Sequence, residues 1–412
     1  MKQVLKTLES NKLLTLSITQ AALGILPSDV LIPSVSATHT YDLHPDWSSL
    51  KPGPVQGHVS CYGDFRLTDG SNCIYCPRQL LSETVDQAAA NDRTFLIGFE
   101  IEFVVLEKSP HPRPENESKY RTIPNDGHAW SMSRALSEWG REGSIVTVLD
   151  EMVDLLNDAD IPIEQLHAEG APGQFEIVLP PLPPLQACDT LLHARQIIES
   201  AAARHGFRAT LHPKPFAERP GTAAHAHMSL SSSSRGDESN NFYAGILNHL
   251  RALAAFTYTN PASYDRAVDS CWAGGSWVAW GTQNRETPLR KIEGSHWEFK
   301  ALDGLANPYI AIAALLMAGL DGVASKTSLE QWDDCDKDPA SLEPEQRAKL
   351  GITQALPKNL NEALDCLMED TTLKELIGEK FVDRYVDVKR AELTLLKSMN
   401  DEERREWLIE RY

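Results

Sequence analysis

Acidic and imidazole side chains recur at close spacing in segments that are otherwise apolar. In a β-strand, residues i and i+2 point to the same face, so a polar pair at that spacing presents two groups side by side. Three segments carry such pairs, and a fourth places two glutamates on either side of a Gly-Ala-Pro-Gly turn. These residues are Glu100 and Glu102 in GFEIEF, His225 and His227 in AHAHMS, Glu298 and Lys300 in HWEFKA, and Glu169 and Glu176 in HAEGAPGQFE.

Together these side chains indicate a metal centre. An isolated carboxylate in an apolar segment is unfavourable because desolvation disfavours its charged form. A divalent cation offsets that penalty for several carboxylates at once, and carboxylate-rich ligand sets suit Mg²⁺ or Mn²⁺ rather than Zn²⁺. Each motif alone has an ordinary explanation. Glu100 and Glu102 could lie on the solvated face of an edge strand, and the two histidines could be an ordinary core or surface pair. HAEGAPGQFE could be a hairpin turn that carries polar side chains. The motifs in combination favour the metal.

Hydrophobic patterning predicts the elements that position these residues. Residues 94–107 alternate and are rich in aromatic and β-branched side chains, which is typical of a strand. Residues 161–180 predict a strand, a turn and a second strand, and residues 208–216 and 223–230 predict further strands. Helices are predicted over 143–157, 188–206 (with Gly206 just past the last turn), 242–259, 307–322 and from 358 onward, and a Ser-rich flexible loop is predicted at 231–240.

Composition excludes several classes of function. The formal net charge is −19 and no long block of Lys or Arg is present, so neither nucleic acid nor an anionic membrane is an expected partner. The seven scattered cysteines indicate reduced thiols in a cytoplasmic protein, and the Cys73–Cys76 pair lacks the second pair that a zinc site needs. The N-terminal residues faintly resemble a signal peptide, but polar residues dilute the apolar run and secretion is not expected. No stretch approaches the roughly 18 apolar residues of a membrane span.

Five segments, in order along the chain, resemble the consecutive catalytic motifs of glutamine synthetase: GFEIEF, HAEGAPGQFE, GTAAHAHMSL, NRETPLR and HWEFKALDGLANPYIAIAALLMAGLDG. The resemblance runs from about residue 13 to the C-terminus, and CWAGGSWVAWGTQNRETPLR is similar to the fungal, FluG-like branch of type I-related synthetases. It implies an α+β fold, with a curved, mostly antiparallel sheet flanked by helices in a catalytic domain over 91–412. A shortened β-grasp-like module and linker would cover 1–90, and the protein would be a homo-oligomer.

The resemblance also implies a role for individual residues. Two or more Mg²⁺ or Mn²⁺ ions would be held by two sets of ligands: Glu102, Glu169 and Glu176 near the acyl substrate, and Glu100, His225 and Glu298 near the ATP phosphates. The ATP co-substrate would be contacted by Glu164, His227, Ser229 and Arg290. The acid, the transferring phosphate and the amine would be contacted by Gly221, Arg266, Trp272, Arg285 and Lys300, with Arg266, Arg285 and Glu298 as catalytic residues.

Four positions depart from the family's pattern. Trp272 or Cys271 stands where the family has a glutamate that closes the ammonium site, and neither side chain can act as a carboxylate base. Lys300 replaces an arginine and loses the planar fork that grips a carboxylate. Pro220 replaces an asparagine, and His296 replaces an arginine that contacts ATP.

The implied function is an ATP-dependent carboxylate–amine ligase. Glutamate or a related acid would be activated as an acyl phosphate and then attacked by ammonia or by an organic amine packing on Trp272. Two alternatives stay open. One is a catalytically impaired scaffold or regulatory protein, which the shortened first module favours. The other is a phosphotransferase resembling the guanidino kinases, which share this type of sheet.

Overall fold

The computed structural model describes residues 14–109, 118–124, 127–130, 135, 137–141, 143–233 and 238–412. Its strands are β1 Leu16–Thr19, β2 Thr40–Pro45, β3 Lys51–Pro52, β4 Val59–Ser60, β5 Gly63–Arg66, β6 Thr94–Lys108, β7 Tyr120–Thr122, β8 Gln165–Ala168, β9 Gln174–Val178, β10 Phe207–Thr210, β11 Ala226–Ser231, β12 Trp280–Thr282, β13 Leu289–Glu293 and β14 His296–Phe299. Its helices are α1 Pro77–Ala90, α2 Ile145–Asp158, α3 Pro184–Arg204, α4 Ser239–Thr257, α5 Pro261–Arg266, α6 Pro308–Ser325, α7 Pro344–Lys349, α8 Leu360–Glu369, α9 Thr371–Ile377, α10 Glu379–Lys397 and α11 Asp401–Ile409.

A nine-stranded sheet forms the centre of the molecule. Its main path runs β12-β13-β14-β11-β6-β9-β8, and β7 and β10 also pair with β6. Every pairing in this sheet is antiparallel except that of β12 with β13. The predicted α+β fold with a mostly antiparallel sheet is therefore confirmed.

Strand β6 has 15 residues and separates the core from the polar face of the sheet. Its odd-numbered side chains from Phe95 to Val105 are buried in the main apolar core. Its even-numbered positions include Gly98, Glu100 and Glu102, which share the opposite face because side chains alternate along a strand. The strand predicted at 94–107 is confirmed, and its alternation sets the direction of both glutamates.

Two apolar helices, α4 and α6, pack closely within this core. A Cβ atom on Gly245 would lie 2.3 Å from the carbonyl oxygen of Ala318, so the two helix backbones approach to a distance that only glycine allows. Helix α6 is long and apolar enough to cross a membrane by length and composition, with a mean hydropathy of 1.5, yet 72% of it is buried inside the protein. The expectation that no stretch approaches that length was wrong, and burial in the core explains the composition.

A smaller N-terminal part contains the three-stranded sheet β1-β2-β5 and the pair β3-β4. It is joined to the rest of the protein through Arg78 at the start of α1, which is buried. The Arg78 guanidinium forms ion pairs with Asp46 at 2.5 Å, Asp64 at 3.1 Å and, on α3, Asp189 at 2.8 Å. The predicted division at residue 90 stays a prediction.

Three predicted segments differ at their boundaries from the observed ones. The strand predicted over 208–216 ends at Thr210, because Pro213 and Pro215 lack the backbone N–H that a ladder needs. The loop predicted over 231–240 ends earlier, since α4 begins at Ser239; its residues 234–237 lie outside the described residues. The predicted helix at 188–206 begins at Pro184, and Gly206 follows it with a φ of 80°.

Candidate active site

Strand register brings Glu102 and Glu176 face to face. Glu102 of β6 lies opposite Glu176 of β9, which in turn lies opposite His167 of β8. The two glutamates are only 8% and 6% exposed. The Oε2 atom of Glu102 accepts a hydrogen bond of 2.8 Å from the Gln174 amide. Possible ligand atoms of Glu102, Glu176 and His225 lie within 4.8 Å of one another, which is close enough to share a cation.

A second group of possible ligands surrounds Glu298 on β14. His225 Nδ1 lies 2.6 Å from Glu100 Oε2 and 3.3 Å from Glu298 Oε1. Lys300 Nζ donates to Glu298 Oε1 at 3.0 Å, and Arg290 Nη1 donates to Glu298 Oε2 at 2.9 Å. Ligand atoms of Glu100, His225 and Glu298 also lie within 4.8 Å of one another. This trio is the second predicted metal-ligand set.

Glu169 lies beside a histidine that the sequence analysis did not select. His167 Nε2 lies 3.2 Å from Glu169 Oε1 and 3.5 Å from Glu176 Oε1, and the three residues form a third possible ligand group. His128 Nε2 lies 3.5 Å from Glu169 Oε2. Glu176 therefore belongs to two groups, whereas Glu102 and Glu169 are not in the same one. The role of Glu169 as a ligand stays a prediction.

Burial and neighbouring charges divide the glutamates into two classes. Burial alone would raise the pKa of Glu100, but hydrogen bonds from His225 and His227 outweigh it and hold that pKa far below its usual range. In the same way Lys300 and His225 overcome the burial of Glu298 and lower its pKa to about 2.

At Glu102 and Glu176 burial outweighs the neighbouring positive charge. Burial raises the pKa of Glu102, with a further contribution from Glu169, although His225 opposes it. Burial and repulsion from Glu100 and Glu102 raise the pKa of Glu176 to about 10. Two buried carboxyl groups that face each other, with histidines as their nearest basic neighbours, fit the donor set of a hard divalent cation.

His227, which is predicted to contact ATP, forms side-chain contacts with this cluster. Its Nε2 atom lies 3.0 Å from Glu100 Oε1, and its Nδ1 atom lies 2.9 Å from His296 Nε2. Ser229 follows two residues later on the same face of β11. Glu164, by contrast, is exposed just before β8, and its side chain forms no hydrogen bond or ion pair with the cluster in the described part of the chain.

Gly221 and Arg266 lie against each other at the edge of the cluster. The Gly221 carbonyl accepts a hydrogen bond of 2.8 Å from Gln174, the residue that also binds Glu102. A Cβ atom on Gly221 would lie 2.5 Å from Arg266 Cγ, so no larger residue fits without displacement. Arg266 is buried, and its Nη2 atom donates to the carbonyl oxygens of Lys300 and Leu302 at 3.1 and 3.2 Å.

A loop that carries Trp272 borders the cluster. A Cβ atom on Gly274 would lie 3.0 Å from Lys300 Cβ, so this loop packs directly on Lys300. Trp272 is 65% exposed, and its backbone N–H donates to the Glu286 carboxylate at 3.1 Å. Arg285 is also exposed, and among the described residues its side chain forms no ion pair. Its predicted catalytic role stays a prediction.

Similarity to known proteins assigns the chain to a family. The family model for the catalytic domain of glutamine synthetase matches residues 74–412. The chain belongs to the glutamine synthetase family. It is 41% identical over 408 residues to Protein fluG of Emericella nidulans, which covers 96% of this chain and 45% of that protein. The chain therefore spans about half the length of that curated relative.

Two further relatives and a solved structure agree with this assignment. Type-1 glutamine synthetase 1 of Dictyostelium discoideum is 29% identical over 84% of this chain and 72% of its own length. Gamma-glutamylpolyamine synthetase GlnA3 of Streptomyces coelicolor is 34% identical over 59% of this chain and 55% of its own length. A crystal structure of a novel glutamine synthase homolog superposes with a TM-score of 0.79 at 25% identity, covering 99% of this chain and 94% of that chain.

Three residues of this glutamine synthetase-type site were missed by sequence reasoning. His167 and Gln174 lie within HAEGAPGQFE, but only the folded chain shows that His167 lies opposite Glu176 and that the Gln174 amide donates to Glu102. Glu286 lies within NRETPLR and holds the Trp272 loop. Its position in that motif was the only available signal, because its partner is a backbone N–H that sequence cannot reveal.

Proposed function

We propose that the protein is an ATP-dependent carboxylate–amine ligase of the glutamine synthetase type. The observation that carries this proposal is the convergence of Glu100, Glu102, Glu176, His225 and Glu298 on one face of the sheet. With Glu169 these are the residues expected to hold Mg²⁺ or Mn²⁺. Cations bound there would neutralise charge on a transferring phosphoryl group and on the carboxylate that receives it.

The basic side chains around the cluster would position the anionic reactants. Arg266 and Arg290 each have a buried Nε atom without a hydrogen-bond partner among the described residues, so each retains a donor for an incoming oxygen. Lys300 lies fully buried at the same place, between Glu298 and His225. Phosphoryl transfer depends mainly on positioning and on charge neutralisation, which these groups supply. Glutamate or a related acid is the proposed acceptor, and ATP is the proposed donor.

The Trp272 loop supports an organic amine rather than ammonia as the second substrate. Its exposed indole offers an apolar, electron-rich surface at the border of the cluster, where a protonated or alkylated amine packs well. The Glu286 carboxylate below the loop would favour a cationic substrate. One relative, GlnA3, is named a gamma-glutamylpolyamine synthetase, which supports the same substrate class.

A scaffold without catalysis is the second candidate. Lys300 and Arg290 already neutralise Glu298 through contacts of 3.0 and 2.9 Å, so this half of the cluster is stable without a cation. The buried carboxyls of Glu102 and Glu176 argue against a scaffold, because burial makes their charged forms unfavourable unless a cation binds.

One assay separates these functions. Purified protein is incubated with ATP, Mn²⁺, glutamate and hydroxylamine, and phosphate and hydroxamate are measured together. Both products support the ligase, and organic amines are then compared with ammonium as substrates. Phosphoryl transfer without hydroxamate would indicate a kinase, and binding of nucleotide without either product would indicate the scaffold. Glu102→Ala should abolish product formation, whereas Glu151→Gln, a carboxylate paired with His205 outside the cluster, should retain it.

A further inference from the structure

A cavity lies apart from the carboxylate cluster. It has a volume of about 530 Å³ and is partly open to solvent. Its main lining segments are residues 22–25, the start of α1, α3, residues 304–310, α10 and the C-terminal residues 411–412. None of the six predicted metal ligands lines it. Cavities that bind small organic molecules occupy about 300–1,000 Å³ and are mostly apolar with a few polar groups. This cavity has the size of a ligand site, and the proposed ligase activity does not use it.

Arg195 of α3 is the buried polar group in its wall. The side chain is only 7% exposed, and its Nη1 atom donates to the Gly304 carbonyl at 3.2 Å. Its Nε atom is buried without a hydrogen-bond partner among the described residues. Burial lowers the pKa of Arg195 to about 10, although Asp303 and Glu199 attract the guanidinium. Neither carboxylate accepts a hydrogen bond from it in the described part of the chain, so a buried donor is left for a ligand.

The charged side chains of the wall favour an anion. Three further basic residues line the cavity, against the single acidic side chain of Glu199; they are Arg384, Lys389 and Arg411. Lys389 forms an ion pair with Glu392 at 2.7 Å. Arg384 instead stacks on the Tyr75 ring at 4.3 Å, and its charge is not neutralised by an ion pair among the described residues. In a chain with a net charge of −19, this excess of positive charge is a local feature of the cavity.

The remainder of the wall is apolar and aromatic. Leu192, Phe256, Ile310 and Phe381 line it together with the ring of Tyr385. A ligand that satisfies both parts of the wall carries one anionic group and an apolar body. We propose that this cavity binds a small organic anion, with its carboxylate, sulfonate or phosphate group on the Arg195 guanidinium and its apolar body against α10.

Anilinonaphthalene sulfonate is a suitable probe, because it joins an aromatic body to one anionic group and fluoresces when buried. The full chain is titrated with this probe and, separately, with the uncharged N-phenylnaphthylamine. We expect the sulfonate probe to bind saturably, with one molecule per chain. The uncharged probe should bind with an affinity lower by about tenfold or more, because it cannot accept the charged hydrogen bond from Arg195. Non-saturable binding, or equal affinity for the two probes, would overturn the proposal.

Variants localise the binding. Arg195→Met should weaken the sulfonate by about tenfold or more, whereas Arg204→Met, on the exposed end of the same helix, should leave it unchanged. Ala22→Trp tests the cavity without changing the buried arginine, because Ala22 is an exposed lining residue and the indole would occupy the space. Circular dichroism establishes that each variant is folded. Unchanged affinity in folded Arg195→Met or in Ala22→Trp would refute this site, and neither result depends on ligase activity.

Discussion

Glu176→Gln tests the physical state of the carboxylate cluster without a cation. Burial and its carboxylate neighbours raise the pKa of Glu176 from 4.5 to about 10. At pH 7 the group is therefore protonated when folded and ionised when unfolded, which lowers stability. At about 1.4 kcal/mol per pH unit between 4.5 and 7, the penalty is at most about 3.5 kcal/mol. The glutamine side chain cannot ionise, so Glu176→Gln removes this penalty. In the presence of a chelator, the variant should therefore have a higher free energy of unfolding than wild type at pH 7. The difference should vanish near pH 4.5.

Added Mn²⁺ should reverse the benefit of the substitution. At a Mn²⁺ concentration of about 100 times Kd, the wild-type protein gains about 2.7 kcal/mol of stability by mass action. If the lost carboxylate weakens binding about 100-fold, the variant gains only about 0.4 kcal/mol at the same concentration. Equilibrium urea unfolding, with EDTA or with Mn²⁺, measures both quantities.

Glu151→Gln is the matched control for this experiment. Glu151 pairs with Arg204 and His205 at 2.6 Å each and lies outside the cluster, so its loss should leave the stabilisation by Mn²⁺ unchanged. A Glu176→Gln variant that is less stable than wild type in EDTA at pH 7 would refute the protonated state of Glu176. A variant that keeps the full gain from Mn²⁺ would refute its role as a ligand.

Three other predictions follow from separate parts of the structure. Arg78→Met leaves three aspartates without their shared partner, so the free energy of unfolding measured in urea should fall by about 3 kcal/mol. A decrease below about 1 kcal/mol would contradict this prediction. Burial opposes protonation of His249, but Asp370 and Asp321 outweigh it and raise its pKa. The resulting stabilisation is complete below the unfolded pKa of 6.5 and is lost as pH rises through the folded pKa, so His249→Gln should destabilise more at acidic than at alkaline pH. Trp272→Ala should raise KM for an organic amine and leave the gain from Mn²⁺ unchanged; an unaltered preference between amines and ammonium would exclude the indole from the amine site.

The parts of the site that lie within one strand could be predicted from the sequence. The alternation in 94–107 determines that Glu100 and Glu102 share a face, and the His225–His227 spacing has the same consequence in the neighbouring strand. Those relations are local, because a strand repeats every two residues whatever its partner. The predicted helices also occur close to their expected positions, since apolar periodicity is local too.

Relations between strands could not be predicted in this way. The pairing of His167 with Glu176, and of Arg290 with Glu298, depends on which strands are neighbours and on their register. The Arg78–Asp189 ion pair joins residues 111 positions apart, and no local pattern specifies that partner. The cavity around Arg195 is formed by segments from widely separated parts of the chain, so only the folded chain reveals it.

Anomalous X-ray scattering from crystals grown with Mn²⁺ and an ATP analogue tests the central claim most directly. Two strong peaks per chain are expected, one among Glu100, His225 and Glu298 and the other beside Glu102 and Glu176. Loss of the second peak alone in Glu176→Gln would strengthen the assignment. Peaks confined to the protein surface, or none at all in the cluster, would contradict the account.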